Sequence, residues 1–171
     1  MEVDAIVEMF KRSEQNYGVK YKHYIGDGDS KTYSGIIKSA PYGDTTLVTK
    51  KECIGHVQKR MGSRLRECKK KNKGLGCKGK LTGKMLDKLT VYYGLAIRRN
   101  CDSAKNMNKA IWSTFCHYSS TDKNPQHSKC PTGAESWCSW QRARATDTLK
   151  SFVHEYKPLP KDVLMAIKPN Y

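Results

Sequence analysis

The spacing of hydrophobic positions changes several times along the chain, and each change predicts an element. Between residues 3 and 16, Val3, Ile6, Met9, Phe10 and Ser13 recur at helical spacing with Glu, Lys and Arg opposite, which predicts an amphipathic helix ending at Gly18. The period then shortens to two. Val19, Tyr21, His23 and Ile25 alternate with polar residues, as in a half-buried strand. Gly26-Asp27-Gly28-Asp29-Ser30 ends that run and supplies a cap for a short helix to about Ser39. Pro41-Tyr42-Gly43-Asp44 reads as a turn and Thr45 to Thr49 as a second short strand. From Lys51 the helical period returns, with Ile54, Val57, Met61, Leu65 and Cys68 in one stripe. Lys69 to Gly83 is rich in Lys and Gly and reads as a flexible basic loop. Two helices follow, Leu81 to Arg99 and Ser103 to Tyr118, each with a continuous apolar stripe. Ser119 to Gly133 is polar and turn-like, Glu135 to Ala145 predicts a helix carrying Trp137 and Trp140, and prolines flank a last apolar stretch, Val163 to Ile167.

Charge sharpens this picture. The 171 residues suit one domain, and their 32 basic against 16 acidic side chains point to a polyanionic partner, nucleic acid first. The excess is concentrated: Lys50 to Lys80 holds twelve Lys or Arg and two Glu. Lys59, Arg60, Arg64, Arg66, Lys69, Lys70, Lys71 and Lys73 are therefore the candidate DNA contacts. No apolar run approaches the ~20 residues that span a membrane, so no membrane role is expected. An odd number of cysteines, seven, with no signal-peptide pattern at the start argues against a secreted disulfide scaffold and leaves packing or metal binding.

Three groups of residues could carry chemistry. Asp27 and Asp29 leave a strand through glycines and meet a helix start, where sheet enzymes place ligand groups and where one or two carboxylates with waters can hold Mg2+. A plain turn is the competing reading. An EF-hand is excluded, because its sixth and twelfth positions would be Thr32 and Lys38. Cys53 and His56, at i and i+3, could form half of a metal site or be a buried thiol and a solvated imidazole. His117, His127, Cys130 and Cys138 fall within 22 residues, mostly in a loop with little apolar material, which a tetrahedral zinc would order. The spacing leaves open whether His117 or the Cys53/His56 pair completes the set, and whether Cys138 is simply packed beside Trp137. Glu135, at the expected start of a helix, is ordinary by itself.

Taken together, Tyr24 to Thr32, the segment Lys51 to Arg60 with its CxxH, and Asn124-Pro125-Gln126-His127 through Cys130-Pro131 to Ser136-Trp137-Cys138 resemble the Mutator-like class of DNA transposases. The resemblance implies an α/β, mostly helical chain built on a ribonuclease-H-like core with an Asp, Asp, Glu triad. Asp27, with Asp29 as rival, would be the second acid and Glu135 the third, holding Mg2+ or Mn2+ for two-metal strand cleavage and transfer. It implies DNA, as transposon ends and target, for a partner, a nuclear location and a homo-oligomer. The chain departs from the pattern in lacking the first three strands and the first Asp, a place Asp4 cannot fill. The expectation is a single partial catalytic domain over residues 1–171, with a basic helix and helical insertion at about 51–118 and a Cys/His and third-acid segment at about 119–140. As such it would bind DNA but not cleave it alone. The rival reading is a non-catalytic zinc-containing basic module in which Asp27 and Asp29 only turn the chain. RNA binding fits less well, since aromatics interleaved with basic residues on strands are missing.

Overall fold

The computed structural model describes residues 2–28 and 30–171, and the candidate acid Asp29 lies outside them. The chain is mostly helical with one small parallel sheet, and it divides into two compact units between Val57 and Gln58. Among the described residues no helix is long and apolar enough to cross a membrane.

In the first unit, α1 (Glu2–Lys11) and α2 (Ser13–Tyr17) replace the single helix expected over residues 3 to 16. The break falls where the small Ser13 is wholly buried, its hydroxyl 2.7 Å from that of Tyr42 and 2.9 Å from the Phe10 and Val19 carbonyls. The strand β1 (His23–Gly26) is followed by α3 (Ser30–Ser39) and β2 (Thr49–Glu52), and the two strands pair in parallel with His23 opposite Thr49 and Gly26 opposite Glu52. Parallel partners require a crossover, which α3 supplies. α3 packs on α1 through Gly35, where a Cβ would stand 2.9 Å from a Val3 methyl. Phe10, Ile36, Tyr42 and Val48 form the core of this unit.

The second strand therefore starts where the expected one ends. Residues 43–45 form a 3-10 turn, and Val48 goes into the core rather than into a ladder. The paired residues Lys50, Lys51 and Glu52 are polar, so pairing with β1 makes them a strand where apolar periodicity gives no sign. The ladder ends with Cys53, whose N–H donates to the Gly26 carbonyl at 2.9 Å while its own carbonyl accepts the Val57 N–H at 3.0 Å. Cys53 thus precedes α4 (Ile54–Lys71) instead of lying within it.

The second unit is helical. Met61 and Leu65 of α4 join Leu86 and Leu89 of α5 (Gly83–Arg98), Tyr118 of α6 (Ala104–Ser119), and Val163 and Ile167 of α8 (Lys161–Ile167) in one core. α5 and α6 begin at capping hydroxyls: Thr82 accepts from the Met85 N–H and Ser103 from the Asn106 N–H. The basic loop after α4 is pinned at Leu75 and Leu81, both buried, rather than loose as expected, and Leu81 N–H donates to the Leu75 carbonyl at 2.8 Å. The chain end closes this core, with Leu159 N–H donating to the Tyr118 carbonyl at 2.8 Å.

Leu65 is fully buried and Ile25 is 68% exposed. Leu65→Ala should cost about 2–5 kcal/mol, while Ile25→Ala should stay within about 0.5 kcal/mol of the parent. Chemical denaturation followed by near-UV circular dichroism checks this; equal effects would contradict the core assignment.

Candidate metal centre

α6 carries His117 in its last turn, and α7 (Ser139–Ala145) starts just after Cys138. Between them the chain forms no regular element, and its buried residues are polar or sulfur-bearing: Ser120, His127, Cys130, Ser136 and Cys138. Side-chain hydrogen bonds shape this segment. Ser136 Oγ accepts from the Cys138 N–H and donates to the Pro131 carbonyl, Arg142 donates to the Ser136 carbonyl, and Gln141 donates to the His127 carbonyl. These bonds offer the backbone an alternative to helix, so the helix expected from Glu135 begins four residues later, at Ser139. Glu135 is exposed in the preceding turn, not in a first helical turn.

His117, His127, Cys130 and Cys138 converge so that one ligand atom from each lies within 4.8 Å of all the others, and all four residues are buried. Cys130 Sγ is 3.9 Å from His117 Nδ1 and 3.8 Å from His127 Nδ1, and Cys138 Sγ is 3.4 Å from His127 Nδ1. Zinc bonds of about 2.3 Å to sulfur and 2.0 Å to nitrogen place the corners of a tetrahedron roughly 3.3–3.8 Å apart, so the donor set and its spacing fit. The structure therefore selects His117 to complete the set. Cys53 and His56 belong to the other unit and are not members of this cluster.

The electrostatics of the cluster favour a cation. A hydrogen bond from Cys130, reinforced by one from His117, pulls the Cys138 thiol down to about 4. The hydrogen bond it gives to Cys138, followed by burial, holds the Cys130 thiol well above its usual value. Ionising one thiol thus opposes ionising the other, and two buried thiolates side by side would call for a metal ion to neutralise them. Burial also lowers the His127 pKa, keeping the imidazole neutral as a ligand must be.

A second layer of polar groups fixes the His127 ring. With Nδ1 facing the sulfurs, its Nε2 would carry the proton once Nδ1 holds a metal, and it lies 2.8 Å from Ser120 Oγ and 2.9 Å from His154 Nε2. His154 in turn donates from Nδ1 to Asp122, whose carboxyl is held below its usual range by the ring and backbone N–H of His154. Ser120 Oγ accepts from the Gln126 N–H and lies 3.1 Å from His154 Nε2, so one assignment of protons satisfies every member. Sequence reading missed Ser120, Asp122 and His154, because partners 32 residues apart have no spacing signature.

The other candidate acids sit elsewhere. Asp27 is exposed directly after the carboxyl end of β1, ahead of α3, and Gly28 beside it takes a φ of 101° that few other residues accept. Asp27 belongs to the first unit and Glu135 to the second.

Purified protein should contain about one zinc per chain, lost in Cys138→Ser and in His117→Ala by elemental analysis. Because protons compete for thiolate and imidazole, occupancy should fall as the pH drops. Asp122→Asn and His154→Ala should keep the stoichiometry but weaken zinc binding roughly 10–100-fold in competition with a chromophoric chelator. Unchanged affinity in both would detach the outer layer from the centre.

A family model described as Mutator-like transposase matches residues 1–138, well over half of the chain, and the match ends on Cys138 of the cluster. No curated protein and no solved structure matches the chain. With the expected motif segments inside the matched region and the His/Cys cluster closed within it, the chain belongs to the Mutator-like transposase family.

Proposed function

We propose that this chain is the DNA-engaging part of a transposase core of ribonuclease-H-like descent, acting on DNA in the nucleus. The observation that carries the DNA reading is the composition and exposure of α4. The helix has seven basic residues and one acidic residue, and its buried positions Met61, Gly62 and Leu65 leave the remaining arc to cations. Lys59, Arg60, Arg64, Arg66, Lys70 and Lys71 are exposed on it, and Lys73 continues the row into the loop. Exposed ion pairs with Glu67 and Asp87 engage Lys71 and Arg66 but contribute little, and a phosphate can displace them. Such a face binds through counterion release, with affinity that varies little between sequences.

Asp27 and Glu135 are assigned as the second and third acids of the triad. Asp27 suits that role chemically: it is a carboxylate at a strand end, open to water, as a magnesium ligand that keeps several waters requires. When bound, Mg2+ or Mn2+ would activate a water or 3′-hydroxyl and neutralise the leaving oxygen. The chain's own contribution is to place the Asp27 carboxylate by the turn at Gly28 and to hold the phosphate backbone on α4. The zinc centre would keep the segment bearing Glu135 in shape.

DNA binding should weaken steeply with salt. Replacing Lys59, Arg64, Lys70 and Lys73 together by Ala should reduce the slope of log K against log salt by roughly three to four, on a fully paired duplex. An unchanged slope would remove α4 from the interface. Paramagnetic broadening by Mn2+ should centre on Asp27 and Glu135 and disappear in Asp27→Asn and Glu135→Gln; broadening confined to other residues would withdraw the triad assignment.

A further inference from the structure

A groove of about 600 Å3 lies between α5, α6 and the His/Cys loop. That size is typical of sites for small ligands. Tyr92, Leu95 and Ala96 of α5 and Ala110 of α6 line the groove. The loop contributes Lys129, Pro131 and Trp137, which are interleaved along the chain with the cluster residues His127, Cys130 and Cys138. Trp137 is 42% exposed, and its ring meets the His117 imidazole edge-on, with centroids 5.0 Å apart. The groove is therefore lined by an aromatic side chain that rests on the His/Cys cluster.

The charge around this groove is of one sign. Arg99, Lys109 and Lys129 line it and are exposed, and among the described residues no carboxylate lines it. Asn100 and Asn106 add amides that can both donate and accept. A largely apolar groove lined by an aromatic ring, amides and cations matches one kind of ligand unit: a planar heterocycle joined to phosphate. A paired base cannot enter, since its faces are covered by its neighbours in the duplex. A base that is unpaired or turned out of the stack can.

We propose that this groove takes one unpaired nucleotide of a DNA strand, with its base against Trp137 and its phosphates among Arg99, Lys109 and Lys129. The proposal rests on the DNA reading above but uses a different surface from the exposed face of α4. The metal centre gains a purpose beyond folding the loop, because it positions one wall of the groove.

The test uses the full chain and two short probes, a thymidine tetranucleotide and its abasic counterpart with the same phosphates. The base-containing strand should bind roughly tenfold more tightly, as stacking of a single base implies. Trp137→Ala should reduce that ratio below about twofold, and Trp137→Phe should keep most of it. Because Trp137 touches His117, Ala110→Phe provides a second variant, filling the groove away from the metal. It should abolish the discrimination while zinc content stays at one equivalent. Lys109→Ala with Lys129→Ala should weaken both probes alike. Equal affinity of the parent for the two probes would overturn the proposal, as would discrimination that survives Ala110→Phe. The four-alanine variant of α4 should keep its preference for the base-containing strand whatever its duplex salt slope, so the groove and the duplex face fail separately.

Discussion

Two thiols and two imidazoles are buried together, and this constraint governs the chain from the end of α6 to α7. Such a cluster is costly as bare side chains, because each thiol that ionises opposes ionisation of the other. Around one tetrahedral ion the same groups become mutually consistent, with both sulfurs charged, both rings neutral and each His127 nitrogen committed to one role. The segment then needs no apolar core of its own. The cluster also explains what surrounds it: Trp137 set against His117, Trp140 stacked on His127 at 5.2 Å, and α7 delayed to Ser139.

The second organising relation is the crossover in the first unit. Parallel pairing of β1 with β2 places Asp27 at a strand end and delivers Cys53 to the start of α4. From there the helix divides its faces. Met61 and Leu65 go to a core that α8 completes, and the cations are left outside. Fold and charge are thus products of one helix: the burial of its apolar arc is what aligns the basic one.

How much of this could be read from the chain differs by element. α5 and α6 match their expected limits within two residues, because an apolar stripe and a capping hydroxyl, Thr82 or Ser103, agree at each start. β2 could not be read, since Lys50, Lys51 and Glu52 owe their conformation to a partner strand and not to a buried face. The break at Ser13 was hidden for a related reason: the serine kept the helical spacing but is held by a hydroxyl from Tyr42. In the candidate site, His127, Cys130 and Cys138 stood out as ligand types in a segment poor in apolar residues. Choosing His117 over Cys53 and His56 needed three dimensions, because spacing along a chain does not say which loop folds back on which helix. Asp122 and His154, with side chains as ordinary as any on a surface, acquire meaning only through their contacts with each other and with His127.

X-ray absorption at the zinc edge of the purified protein probes the centre most directly. The account predicts four ligands, two nitrogens at about 2.0 Å and two sulfurs at about 2.3 Å, with the zinc signal itself lost in Cys138→Ser. A shell made only of oxygen and nitrogen, or one unaffected by the substitution of Cys138, would contradict it.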